Sequence, residues 1–322
     1  GGDYLPSVAL ALLIVALSLY TNISDGRFLA SYNLHSMLLL ATALAFVSLG
    51  QAVVLMVGGI DLSVGPLMGV VVVITSFFWT AGQGTGNLIL GIAAVVGAAL
   101  AVGLTIGVLV RAARLSAVLA TIAVYIVLQG VGLLLRPQEG GFLTPSITGA
   151  INTSVGWMPV AFLIAIALTI VAEIVLRRTR AGLALRAVGS DEARAHRLGA
   201  RVNLTHMSAY VICSLLAAAG GVMLAAQLGV GDGDPTVGVN YTLQSVTAVV
   251  LGGASIFGGR GSFVGALLGA TLLTEVVSSV TFLQLSVAWN YWLPGLLILV
   301  GAGIFSRARG GRAALIGGAG DS

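Results

Sequence analysis

Runs of apolar residues recur ten times along this chain, at about 5–21, 34–57, 66–80, 88–110, 115–135, 157–176, 206–228, 242–257, 262–281 and 289–306. A run of about 20 residues crosses a hydrocarbon core about 30 Å thick as a helix. Lipid offers no partners to backbone N–H and C=O groups, so such runs must satisfy them internally. The expected fold is therefore all-α: a polytopic membrane protein of about ten transmembrane helices, forming a single transmembrane domain over 1–306 with a basic flexible tail over 307–322. Two runs are short. The one at 66–80 follows Pro66 and the one at 242–257 is broken by glycines, so half-helices or re-entrant segments are expected there. Gly1 to Tyr20 carries neither a basic n-region nor a small-residue cleavage site and reads as a first membrane helix.

Composition agrees, with 58% hydrophobic and 8% charged residues against about 25% charged in an average soluble domain. All fifteen basic residues are arginine, which excludes a Walker A phosphate loop because that motif needs its lysine. Cys213 stands alone. His35, His196 and His206 are scattered, and no HExxH or GxSxG occurs, so neither a metal centre nor a covalent catalytic set is expected. With a cytoplasmic N-terminus, ten alternating spans place thirteen arginines inside and only Arg27 and Arg136 outside, as the positive-inside rule requires; both termini are then cytoplasmic.

Three places carry polar chemistry within this apolar background. The stretch Gly58-Gly59-Ile60-Asp61-Leu62-Ser63-Val64-Gly65-Pro66 sets a carboxylate between glycines at the cytoplasmic end of two spans. Asp61 is expected to cap the helix starting at Pro66, a residue suited to a first helical turn, and so to fix a hinge between two helix segments. The segment 177–201 holds seven arginines and signals a helix of about eight residues, with Ser190 as cap, Asp191 and Glu192 at its positive end, Arg197 at the other and Gly199 as the stop. So short a helix needs something to dock on, either the base of the bundle or a cytoplasmic partner. Glu173 and Arg177 form an i,i+4 pair, while Glu275 has no partner evident from sequence. In an ion-coupled carrier, Asp61 or Glu275 would be the coupling acid. Gln51, Gln129 and Gln244 are candidates to face a translocation path.

Glycine pairs at small-xxx-small spacing, Gly65/Gly69, Gly103/Gly107 and Gly265/Gly269, are expected to seat close helix contacts. A shift of 200 residues lays Gly58-Gly59 on Gly258-Gly259, a faint internal repeat that would place both turns at the cytoplasmic end.

The run Gly50 to Gly65, GQAVVLMVGGIDLSVG, closely resembles the signature of membrane permeases in bacterial ATP-binding-cassette importers for ribose, xylose, arabinose and related monosaccharides. Ala248 to Ser262 resembles that family's second glycine-rich block, and Thr179 to Arg194 its cytoplasmic coupling loop. The resemblance implies a permease of the bacterial inner membrane that pairs with a second permease copy or a paralogue. Two ATPase subunits holding ATP and Mg would dock below, and an extracytoplasmic sugar-binding protein above. Gly189, Ser190, Asp191, Glu192, Ala193, Arg194, Arg197 and Leu198 would then couple to the ATPase, and Gly58, Gly59, Asp61, Ser63 and Gly65 would form the signature hinge. The chain itself would be a transporter subunit rather than an enzyme. It departs from the pattern at Leu115 to Ile122, which lacks the usual proline and aromatic residue, and at Thr242 and Gln244, where acids often stand. These differences bear on which sugar, or which other small polar solute, is carried.

Overall fold

A computed structural model describes residues 5–82, 84–297 and 299. Twelve helices are fully bounded within it: α1 (Leu5–Ser24), α2 (Ser31–Met56), α3 (Val64–Phe78), α4 (Thr85–Arg111), α5 (Ala117–Leu135), α6 (Pro145–Ile151), α7 (Val160–Arg178), α8 (Arg180–Ser190), α9 (Glu192–Arg197), α10 (Val202–Leu228), α11 (Val239–Leu251) and α12 (Phe263–Phe282). A two-residue hairpin, β1 (Ser154–Val155) and β2 (Met158–Pro159), precedes α7. Residues 289–297 are also helical; the remainder of the expected tenth span and the basic tail lie outside the described residues.

Every expected run up to 281 contains a helix, and among the described residues seven helices are long and apolar enough to cross a membrane. The chain is thus an all-α, multi-pass membrane protein. α3, with 15 residues, and α11, with 13, are the short ones. The run expected at 242–257 stops at Leu251 because Gly252-Gly253 ends the helix, Gly253 taking φ 91°.

α2 forms the centre of the bundle: 89% of its apolar window is buried, against 17% for α1 and 28% for α4 and α5, whose outer faces are exposed. α2 packs against α10, α12 and α11. Small residues permit this closeness, as expected from the glycine spacing. A Cβ on Gly103 would come within 2.9 Å of the Tyr210 carbonyl, one on Gly69 within 2.9 Å of the Val237 carbonyl, and Gly265 and Gly269 lie against the backbone of Gly252 and Ala248. Glu275 sits in the α1–α12 seam without exposed surface, its Oε1 accepting from Ser18 Oγ at 2.5 Å, and Thr21 Oγ1 donates to Ser279 Oγ nearby at 3.1 Å. A serine one helix away is the partner that sequence left unidentified.

The glycine turns after α2 and α11 close their helices with the same hydrogen bonds. Gly58 N donates to Leu55 O at 2.9 Å and Gly59 N to Val54 O at 3.0 Å; Gly253 N donates to Val250 O at 2.9 Å and Ala254 N to Val249 O at 3.1 Å. The same pattern ends α9 at Gly199 and Ala200, so it marks a helix stop and not a repeat. The turn after α11 is longer than the one after α2 and carries Phe257 before α12 begins at Phe263.

Candidate functional site at the cytoplasmic base of the bundle

The turn between α2 and α3 is fastened from several helices. Asp61 has no exposed surface; its Oδ1 accepts from Ser63 N at 2.9 Å and from Ser63 Oγ at 2.6 Å, closing a local Asx turn. Gln51, with its amide placed to satisfy both groups, donates to Asp61 O at 3.1 Å and accepts from Asp61 N at 3.2 Å. Thr121 of α5 donates to Ile60 O at 3.3 Å, and Tyr210 of α10 packs its hydroxyl against Gly59.

Helix α3 begins at Val64 rather than at Pro66, so Pro66 occupies its third position, still within the turn whose N–H groups lack helical partners. Asp61 does not cap it, which corrects the sequence expectation: Ser63 is the N-cap residue and makes no side-chain cap bond. Thr242 of α11 does so from across the bundle, accepting from Gly65 N at 3.1 Å and donating to Leu62 O at 3.3 Å. Thr242 is 4% exposed, so its departure from the family pattern falls inside the packing of the α2–α3 turn.

The arginine-rich segment is two helices. Thr179 caps α8, accepting from Gly182 N at 3.3 Å, and α8 runs through to Ser190, whose hydroxyl donates back to Arg186 O at 2.8 Å. Ser190 is therefore not the cap of the second helix. Asp191 is, accepting from Arg194 N at 2.8 Å, and α9 has six residues, stopped by Gly199 at φ 86°. The Arg194 N–H, followed by the charges of Arg194 and Arg197, holds the Asp191 carboxyl below the usual carboxylate range.

α9 rests on the bundle through one side. Ala195 packs with Val188 and Val202, while Glu192 accepts from Arg111 Nη1 at 3.1 Å and meets His206 Nε2 at 2.8 Å. Arg111 Nε in turn donates to Asn203 Oδ1 at 2.9 Å. Burial pushes the Glu192 carboxyl upward, but the Arg111 hydrogen bond and the nearby charges outweigh it and hold the group below its ordinary value. The base of the bundle is thus one docking partner of α9; Ala193, Arg194, Arg197 and Leu198 face away and are exposed.

These motifs meet at one junction. Gly189, at the end of α8, lies against the Met56 carbonyl at the end of α2, and the same carbonyl accepts from Gly259 N at 2.9 Å. A Cβ on Gly258 would fall within 2.6 Å of the Gly189 carbonyl and 2.9 Å of Gly58 N. Glu173 extends the junction: besides its ion pair with Arg177, its Oε2 accepts from Phe263 N at 2.8 Å and caps α12. Sequence reasoning gave Glu173 only the Arg177 partner; Ser262-Phe263 lies too far along the chain for spacing to reveal the second.

The three glutamines do not form one lining. Gln51 has no exposed surface, Gln129 donates to Tyr125 Oη at 3.2 Å and to Pro235 O at 3.1 Å near the opposite end, and Gln244 is half-buried on α11. At that opposite end the segments around Gly140 and Gly231 are joined by backbone hydrogen bonds exchanged at 2.9 and 3.0 Å. Among the described residues no group of His, Cys, Asp or Glu is placed to hold a metal.

The described residues thus form a multi-pass membrane bundle centred on a broken helix, with a charged helical hairpin seated at its base. The chain belongs to the family described as "Branched-chain amino acid transport system / permease component", which matches residues 33–302. It is 30% identical to a probable ABC transporter permease protein of Sinorhizobium fredii, over 96% of this chain and 92% of that one. It is likewise 30% identical to a ribose import permease protein of Escherichia coli, over 91% of both chains, and 29% identical to an autoinducer 2 import system permease protein of Yersinia enterocolitica, over 89% of this chain and 79% of the other. No solved structure matches the chain.

Proposed function

We propose that this chain is the permease subunit of an ATP-binding-cassette importer in a bacterial inner membrane, and that it translocates a monosaccharide or similarly small polyhydroxy solute. Two permease chains, identical or paralogous, form the pathway; separate ATPase subunits bind ATP and Mg beneath it, and an extracytoplasmic binding protein delivers the solute above. The observation that carries this reading is the junction at Met56. There the solvent-facing α8–α9 hairpin touches, backbone to backbone, the broken helix α2–α3 and the turn leading to α12. A push on α9 from below reaches both helix breaks without passing through a flexible side chain. The relative named for ribose import supports the solute class, and the one named for autoinducer 2 import supports import as the direction.

In this mechanism Glu192 keeps α9 attached to α4 and α10, Gly189 transmits its displacement to α2, and Thr242 and Asp61 keep the α2–α3 turn in shape while the helices tilt. The test is uptake of labelled ribose and related pentoses by vesicles containing the chain with its cassette ATPase and binding protein. Accumulation that needs ATP and the ATPase is the expected result. Accumulation by this chain alone on a proton gradient would overturn the reading in favour of an ion-coupled carrier.

A further inference from the structure

Between α10 and α11 the chain re-enters the bundle as a nonhelical strap, residues 231–238. Gly231 packs against the Ser76 side chain, near the end of α3 that is far from the cytoplasmic base. Lower down, the Val237 and Gly238 carbonyls reach Gly69 and Gly65, within 2.9 and 2.6 Å of a would-be Cβ. Ser76 and Gly65 are eleven residues apart on one helix, so the strap descends alongside α3 by about 16 Å. α5 flanks it on the other side: Gly233 lies against the Gly132 carbonyl, and Gln129 Nε2 donates to Pro235 O at 3.1 Å. Gly229 at φ 70° and Gly238 at φ 81° turn the chain into and out of this course.

Nonhelical backbone at such a depth cannot face lipid, which would leave its N–H and C=O groups without partners; it is tolerated where protein buries it or where it lines a water-filled cavity. The two sides of the strap differ in this respect. Gly231, Gly233 and Gly238 are buried against α3 and α5, whereas Asp234 and Thr236 are exposed and Asp232 is half-buried. A carboxylate at membrane depth likewise requires water or protein around it. Beside these acids runs a shallow cleft that Pro66, Val70 and Gln129 also line.

We propose that the face of the strap carrying Asp234 and Thr236 is a wall of the aqueous path, and that the Asp234 carboxylate accepts hydrogen bonds from the hydroxyls of a neutral polyhydroxy solute passing it. This rests on the permease reading above and adds the place of the path, along the strap between α3 and α5. Asp234 Oδ1 accepts from Thr236 N at 2.7 Å and from Thr236 Oγ1 at 2.6 Å, which holds the carboxylate in one orientation.

The test uses the full chain assembled in vesicles with its cassette ATPase and binding protein. Cys213, the only thiol of the chain, has no exposed surface and is first replaced by alanine. Asp234→Cys, Thr236→Cys and, as control, Val96→Cys are then made singly. Val96 is 41% exposed on α4, five residues beyond Gly91, which packs against Trp79 at the far end of α3. A membrane-impermeant sulfonated methanethiosulfonate, read as a mass shift of the permease, is expected to modify positions 234 and 236, to leave 96 unmodified and to abolish uptake of labelled ribose. Modification of either strap position with loss of uptake supports the proposal. Modification no greater than at 96, the result if a second permease copy covers the strap, overturns it. Modification with uptake unchanged, the result for a loop outside the path, overturns it as well. In either case ATP-dependent uptake by the unlabelled chain leaves the permease reading standing; absence of that uptake overturns both. As a second measurement, Asp234→Asn keeps an oxygen for Thr236 and is expected to raise the ribose concentration for half-maximal uptake about tenfold, as for loss of one hydrogen bond to a charged group. An unchanged value, with thermal unfolding as in the parent, would overturn the contact between Asp234 and the solute.

Discussion

Gly189 lies so close to the Met56 carbonyl that no methyl group fits between them. Two helix ends that are far apart in sequence are joined there by backbone alone, and Gly259 N shares the same oxygen. Gly189→Ala is expected to force α8 off α2, destabilising the protein by about 1–3 kcal/mol as overpacked sites do and lowering uptake more than stability alone would explain. Gly130→Ala in α5 is the control, because no atom lies within 4 Å of its would-be Cβ. Thermal unfolding in detergent alongside vesicle uptake reads both; equal behaviour of the two variants would refute the junction.

Asp61 acts through the hydrogen bonds its Oδ1 accepts from Ser63, an interaction that an amide oxygen can also make. Asp61→Asn is therefore expected to keep uptake near that of the parent. Asp61→Ala strands the Ser63 N–H and hydroxyl and is expected to destabilise by about 1–3 kcal/mol, the range for a buried donor left unpaired. Loss of transport in the Asn variant with stability intact would point instead to a charge-carrying acid.

Thr242 and Gly65 offer a cleaner test, because valine matches threonine in shape. Thr242→Val removes the acceptor for Gly65 N and is expected to lower stability by about 1–3 kcal/mol, whereas Thr242→Ser restores it. The comparison of unfolding temperatures decides; indistinguishable Val and Ser variants would show that the cap contributes nothing.

Glu192 predicts a pH dependence for the seating of α9. Its carboxyl sits below the ordinary value of 4.5 in the folded chain. The ionised form is thus the stabilised one: its contribution is complete above the ordinary value and is lost as pH falls through the lowered one. Hydrogen exchange of the amides over 192–198 should accelerate on acidification in the parent and show less change in Glu192→Gln. Arg111 is 23% and Glu192 47% exposed, so a double-mutant cycle is expected to return no more than about 0.5–1 kcal/mol after solvent screening. A larger value, or a pH-independent exchange pattern, would contradict this account.

Much of the architecture was legible because lipid leaves the chain few alternatives. Apolar length located the helices, Gly252-Gly253 and Pro66 marked the broken ones, and Gly199 stopped α9 where its position implied. What failed to show were pairings across the bundle. Thr242 with Gly65, Glu173 with Phe263 and Glu275 with Ser18 join residues whose separation carries no periodic signal. The exchange of cap between Ser190 and Asp191 has a different origin: both residue types suit an N-cap, and the choice depends on how far α8 continues, which packing of Gly189 on Met56 fixes. Gln51 shows the converse, since a glutamine in an apolar span can serve a buried backbone, here that of Asp61, as well as a solute.

The shortness of α3 and α11 also has a consequence for the proposed transport. Thirteen helical residues in α11 reach about 20 Å, whereas the surrounding helices match a hydrocarbon layer about 30 Å thick. On the permease reading proposed above, a solute passing beside these two elements, between the turns at one end and the Gly140–Gly231 bridge at the other, would meet a barrier roughly two-thirds as thick as the membrane that surrounds it.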